Sequence, residues 1–236
     1  MFLFILLFFA CLGSFCACYI YRFLHDEDII FDRSRCPYCK HTLAWWQLLP
    51  VISYLLLKGK CHYCKSKISL YYPLHEMLYI VVGCYVYWIC DDVGLILLYG
   101  LYFSLNYVLS YIDYQTQLVP NHLLLLLLVV VIVLFHPTIF QYGIALGYLL
   151  LLTMLYFLKP NQLGYGDVLY ICIHSLSMSY IHTSFAILIA CILAILYIIK
   201  RESSQIPFIP FLMIGFILLH LLSLIQQYQQ QQDHHV

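Results

Sequence analysis

Two carboxylates stand apart among the eleven acidic residues of this 236-residue chain: Asp113 and Asp167. Asp26, Glu27, Asp28 and Asp32 share one charged loop, and Glu202 sits beside Lys200 and Arg201. Asp91, Asp92 and Asp233 fall in short polar stretches, and Glu76 lies near the start of an apolar run. Asp113 and Asp167 each border an apolar run with no basic neighbour in sequence. A carboxylate near hydrocarbon costs about 2.5–3.5 kcal/mol even on the mildest scale, so it is kept for a purpose. Two that converge cannot both ionise, and the pair shares a proton. Such a pair supplies a general base to activate water and a general acid for a carbonyl and its leaving amine. Taken singly, either aspartate also reads as a helix cap, and Asp167 stands where an N-cap belongs. The dipoles of their own helices place the shared proton on Asp113, at a C-terminal end, and leave Asp167 as the base.

The flanking residues suit this chemistry. Asp113 is followed by Thr116 and by Val119-Pro120, where proline marks entry to the next helix. Gly164-Tyr165-Gly166 precedes Asp167. Gly164 and Gly166 allow a tight backbone and the close approach of another chain, so they read as an active-site loop.

A second constellation lies in residues 25–70. Cys36-Pro37-Tyr38-Cys39 and Cys61-His62-Tyr63-Cys64 form two C-x2-C pairs 21 residues apart. Each pair can offer two thiolates to one tetrahedral ion, so Cys36, Cys39, Cys61 and Cys64 point to a four-sulfur zinc site. A loop with few aliphatic residues needs such a staple. His41 and His62 lie nearby but fall outside a shell that four sulfurs complete. The other seven cysteines fall in apolar runs, where cysteine acts as a small hydrophobe.

The elements that position these residues cross a membrane. The chain is 64% hydrophobic and 9% charged, more apolar surface than one soluble core of this length can hide. Runs at 2–24, 71–90, 93–112, 121–136, 138–158, 168–181, 182–199 and 207–226 predict an all-α, polytopic membrane helix bundle of about eight transmembrane helices. The organisation expected is a first transmembrane helix (1–24), a cytoplasmic cysteine-knuckle loop (25–70), a membrane domain that carries both aspartates (71–226) and a polar, disordered tail (227–236). The first run has no positive n-region, and Arg22 and Arg35 follow it, so it is expected to remain as a helix. All eleven Lys and Arg residues fall on one side of this arrangement. That side is cytoplasmic by the positive-inside rule, and both termini face outward.

At these residues the chain resembles the prepilin peptidases, or type IV leader peptidases, of the GxGD class of intramembrane aspartic proteases. Gly13-Ser14-Phe15 with Tyr21-Arg22 resembles the family's opening block. Ser34-Arg35-Cys36-Pro37-Tyr38-Cys39, Trp46, Pro50-Val51, Ser53-Tyr54 and Gly59-Lys60-Cys61 follow its cytoplasmic loop, and Tyr72-Pro73 with Glu76 its second span. Asp113 with Thr116 and Pro120, and Gly164-Tyr165-Gly166-Asp167, match its two catalytic blocks. The resemblance implies removal of the basic leader from pilin, pseudopilin or competence-pilin precursors, within the lipid bilayer and at its cytoplasmic face. It also implies N-methylation of the new amino terminus with S-adenosylmethionine, a function associated with the cysteine-bearing loop. No nucleic-acid partner is expected, and no methyl-donor residue set or oligomeric state is implied. Members often carry Lys two residues after the second aspartate, where this chain has Leu169. The alternatives are a proton- or ion-coupled transporter, whose acids more often lie mid-span, and a scaffold whose zinc loop docks a partner.

The charge asymmetry gives a direct test. A reporter active only outside the cell is expected to work when fused after Asp92 and to fail when fused after Lys65. The reverse pattern would overturn the orientation.

Overall fold

A computed structural model of the chain describes residues 1–29, 32–158, 164–201 and 206–233. Lys159, Glu202 and the tail residues 234–236 lie outside the described residues. Among those described the fold is all-α: α1 (Phe2–Leu24), α2 (Ile52–Leu56), α3 (Tyr71–Ile89), α4 (Val93–Thr116), α5 (Asn121–Phe135), α6 (Ile139–Leu158), α7 (Tyr165–Ser175), α8 (Tyr180–Arg201) and α9 (Ile209–Asp233). Apart from the short α2, these helices stand at the eight expected positions. Four of them, α1, α4, α6 and α8, are long and apolar enough to cross a membrane by length and composition. Asn121–Phe135 and Ile209–Ser223 are shorter apolar helices.

Three boundaries differ from the sequence reading. Helix α4 runs on through Thr116, so Asp113 lies within its last turn. Helix α7 has 11 residues, a rise of about 16 Å, and is too short to span about 30 Å of hydrocarbon. It stops where serines compete for the backbone: Ser175 Oγ donates to the Cys172 carbonyl (2.7 Å) and Ser177 Oγ to that of His174 (2.7 Å). Ser179 then opens α8, its Oγ accepting from the His182 N–H at 3.4 Å. At the far end, the glutamines expected to be disordered continue α9 to Asp233. Glutamine is a good helix former, and no Gly or Pro interrupts the run.

The chain divides into two compact units, Met1–Gly100 and Leu101–Val236. In the first, α1 packs on α3. Ile5, Phe9, Ala10, Gly13, Cys16, Ala17 and Ile20 recur at helical spacing and form the buried stripe of α1. Phe9 fills the hollow at Gly83, where a Cβ would stand 2.7 Å from its ring. In the second unit α7 touches α5, α6, α8 and α9. It is buried on several sides through Val168, Tyr170, Ile171, Ile173, His174 and Ser175. The short helix that carries Asp167 is therefore surrounded by others.

Candidate functional site

The second unit brings Asp113 and Asp167 together. Asp113 is 5% exposed, and its Oδ2 accepts the backbone N–H of Ile209 at 3.1 Å. The Phe208 amide lies against the same carboxylate. Asp113 therefore caps the N-terminus of α9 from 96 positions away in sequence. Asp167 is the third residue of α7, whose N-cap is Gly164, and its carboxylate accepts from the Gly164 backbone. This is half of a capping box, with the third residue reaching back to the cap. The N-cap position expected for Asp167 thus belongs to Gly164. The charge of Asp113 acts directly on Asp167, so the two carboxyls form one electrostatic unit.

This geometry corrects the dipole reading. Asp113 does end α4, but the positive end of α9 points at it. Each aspartate rests on helix N-terminal amides, with two for Asp113 and one for Asp167. Nor is the space over the second glycine open. A Cβ on Gly166 would stand 2.5 Å from Val119 Cγ2 and 2.7 Å from its Cβ. The chain that comes close to Gly166 is therefore this one, at the turn between α4 and α5. That turn begins with Gln117 in a left-handed conformation (φ 55°). It ends at Pro120, the N-cap of α5. Gly164 has ordinary extended backbone, and its missing side chain leaves room for Asp167 Oδ2, which would lie 2.9 Å from a Cβ there.

A polar seam runs behind the two aspartates. Asn106 lies two turns before Asp113 on α4, and Tyr170 one turn after Asp167 on α7. The Tyr170 hydroxyl donates to Asn106 Oδ1, and Asn106 Nδ2 donates to the Tyr102 carbonyl at 2.8 Å. One turn further, His174 Nδ1 bonds the Tyr170 carbonyl at 3.0 Å. The ring of His174 lies 5.8 Å from that of Tyr102, and His220 Nε2 meets Ser177 Oγ at 3.0 Å. Asn106, Tyr170 and His174 are fully buried. Buried polar groups joined this way fix one helix register, because slipping would leave each unpaired. Sequence reasoning overlooked these residues. The signal was the spacing, which puts Tyr102, Asn106 and Asp113 on one helix face and Asp167, Tyr170 and His174 on another.

In the first unit the two cysteine pairs adopt the same hairpin. Cys36 N–H bonds the His41 carbonyl (3.0 Å) and Cys61 N–H that of Ser66 (2.8 Å). Lys40 and Lys65 close the two turns at φ 58° and 59°. The four sulfurs lie within 4.8 Å of one another, with 3.9 Å between Cys36 and Cys64. Zinc–sulfur bonds of about 2.3 Å set tetrahedral sulfurs about 3.8 Å apart, so the cluster fits a zinc ion. The Ser66 hydroxyl, then its backbone amide, holds the Cys64 thiol down to about 6. His41 lies tilted against Tyr63 at 3.6 Å, and His62 meets Trp46 edge to face at 5.5 Å.

Beside the knuckles is a cavity of about 560 Å³, lined among others by Ser14, Tyr21, Tyr54, Tyr72 and Glu76. Glu76 is 7% exposed, and its Oε2 accepts the Val51 N–H at 2.7 Å. The Ser14 hydroxyl donates to the same carboxylate. The arginines on this cavity are already engaged. Arg22 donates to the Ile29 and Asp32 carbonyls at 3.0 and 2.7 Å, and Arg35 pairs with Glu27 and Asp32. Among the described residues no ion pair involves Glu76.

Comparison with known proteins follows the same division. Residues 7–90 match the profile of the bacterial peptidase A24 N-terminal domain, and residues 100–199 that of the type IV leader peptidase family. A prepilin leader peptidase/N-methyltransferase of Vibrio cholerae serotype O1 is 40% identical over 123 residues, 48% of this chain and 47% of that protein. One from Stutzerimonas stutzeri is 32% identical over 155 residues, 59% of this chain and 52% of that protein. One from Dichelobacter nodosus is 30% identical over 224 residues, 84% of this chain and 78% of that protein. The chain thus spans about half the length of the first two relatives. No solved structure matches it.

The contact at Gly166 yields a prediction. Gly166→Ala forces the α4–α5 turn away from α7 and is expected to lower stability by about 1–3 kcal/mol. Adding Val119→Ala removes the two methyls but keeps Cβ, 2.7 Å from the new methyl, so it is expected to recover part of the loss, read from thermal unfolding in detergent. A double variant no better than the single one would show that Val119 is not the obstacle.

Proposed function

This chain belongs to the type IV leader peptidase family, and on that premise we propose that it is a membrane aspartic endopeptidase acting on prepilin-like precursors. It removes their basic leader at the cytoplasmic membrane face and then methylates the new amino terminus. The observation that carries the first half is the pair of electrostatically joined carboxylates, Asp113 and Asp167, each resting on helix N-terminal amides.

The roles follow from those amides. Asp113 receives two and is the better stabilised anion, so it serves as the base. It takes a proton from water as the oxygen attacks the scissile carbonyl carbon. Asp167, carrying the shared proton, donates it to the carbonyl oxygen. The proton on Asp113 then passes to the leaving nitrogen as the peptide bond breaks, and the proton on the carbonyl-derived hydroxyl returns to Asp167. The Tyr170–Asn106 clamp keeps α4 and α7 in register, which such a relay requires. The basic residues between α1 and α3 support a cytoplasmic location for both aspartates, with the amino terminus outside.

The first unit supports the second half. Cys36, Cys39, Cys61 and Cys64 hold zinc as a staple between two hairpins, with no part in peptide cleavage. The adjoining cavity falls in the range of small-molecule sites, about 300–1,000 Å³, and combines aromatic walls with one buried carboxylate. It fits S-adenosylmethionine. When bound, that molecule supplies an electrophilic methyl to the new amine, which loses a proton as the sulfur departs as a neutral thioether.

Co-expression with a precursor carrying a basic leader, a glycine and an apolar helix tests the cleavage. A size shift on a gel is expected with the native chain. Asp113→Asn removes the base and is expected to leave no product. Asp167→Asn retains an NH2 that can polarise a carbonyl, so a trace should survive, about 10²–10⁴-fold below the native rate. Native-level cleavage by either variant would refute the dyad. A larger residue in Asp113→Asn would reverse the roles.

A further inference from the structure

The methyl-donor reading leaves one group in the first unit without a task that its contacts explain. Glu76 is a buried carboxylate on a cavity, and a carboxylate offers about four acceptor positions. The Val51 N–H and the Ser14 hydroxyl occupy two of them. Neither donor carries charge, and among the described residues no cation pairs with this side chain. A buried anion of this kind is costly unless something positive joins it.

The backbone opposite is strained. Val51 has φ 59° and ψ −48°, a region that β-branched residues rarely enter. Its N–H points at Glu76, so the carboxylate holds this turn against the cavity. Strain of this kind persists where surrounding structure over-determines it, and it gathers at ligand sites. The rest of the lining completes a pattern of charge. Lys40 and Lys67 line the same cavity and are exposed, whereas Glu76 is buried. Arg22, Arg35 and Lys40 on this lining already have partners, in backbone carbonyls or Glu27 and Asp32, which leaves Glu76 as the buried charge without a charged partner among the described residues. Tyr21, Tyr54 and Tyr72 add flat apolar faces to the cavity walls.

We propose that the Glu76 carboxylate receives the positive charge of a sulfonium methyl donor, S-adenosylmethionine, bound in this cavity. The adenine ring packs among the tyrosines, and the exposed Lys67 faces the donor's own carboxylate. The proposal rests on the methylation reading above and adds the anion that selects the charged donor. Its counterpart, the spent thioether, lacks the sulfonium charge and is held less strongly. Glu76 then favours release of the product as well as capture of the donor.

A purely structural Glu76 would act through its hydrogen bond to Val51, and glutamine can keep that bond through its amide oxygen. Glu76→Gln therefore removes the charge and preserves the clamp. The test is equilibrium binding to the purified full chain in detergent, with S-adenosylmethionine and its spent thioether, S-adenosylhomocysteine, as probes and bound zinc as a check on the knuckles. The native chain is expected to bind both and to prefer the sulfonium. In Glu76→Gln, affinity for S-adenosylmethionine should fall about tenfold or more, with S-adenosylhomocysteine affinity and zinc content unchanged. Undiminished binding of S-adenosylmethionine by Glu76→Gln would overturn the role of Glu76 and leave the methylation reading standing. A parallel loss of both probes would mark a collapsed cavity and overturn the charge assignment. Failure of the native chain to bind S-adenosylmethionine would remove the methylation reading and this proposal with it.

Discussion

The hydrogen bond from the Ile209 backbone to Asp113 is the contact on which the second unit depends. A carboxylate at the edge of hydrocarbon needs donors, and α4 has none to give, because its C-terminal end presents carbonyls. The N-terminus of α9 supplies them. One bond thus satisfies the aspartate, caps a helix and fixes where α9 begins. Asp167 solves the same problem within its own first turn, by reaching back to Gly164. Two carboxyls that share one proton become tolerable side by side because each rests on the positive end of a helix.

The remaining features of that unit keep these ends in place. The Tyr170–Asn106 bond joins α4 to α7 one and two turns from the aspartates, and Gly166 lets Val119 press against the start of α7. Helix α7 need not span a membrane to serve this purpose. Its burial among α5, α6, α8 and α9 positions Asp167, and a short helix held on several sides is a rigid support. The first unit has a comparable logic on a different scaffold: paired hairpins brought together at four sulfurs, beside a cavity lined by the buried carboxylate of Glu76.

Much of this was legible in the sequence, and what was not has physical causes. Apolar runs located the helices because hydropathy reports a local property. The cysteine spacing gave the knuckles because two residues between thiols fix a local turn. The role of the dipoles was misread, since the sequence around Asp113 shows only the helix it ends, while the helix that caps it starts 96 residues later. The length of α7 was overestimated because Ser175 and Ser177 end it through side-chain bonds that an apolar average does not register. Glu76 drew no attention as a charge because one buried carboxylate in a span looks like a helix-end residue until its cavity is known. The seam from Asn106 to His174 was written in the spacing, but only the meeting of α4 and α7 gives that spacing a meaning.

The central claim is that Asp113 and Asp167 work as one unit sharing one proton. The most direct measurement is the pH dependence of kcat/KM for precursor cleavage, with purified enzyme and substrate in detergent so that both faces equilibrate. A pair that needs one carboxyl ionised and the other protonated gives a bell, falling on the acid side as the base protonates and on the alkaline side as the acid ionises. A profile with a single limb, or one flat across the carboxyl range, would contradict the account.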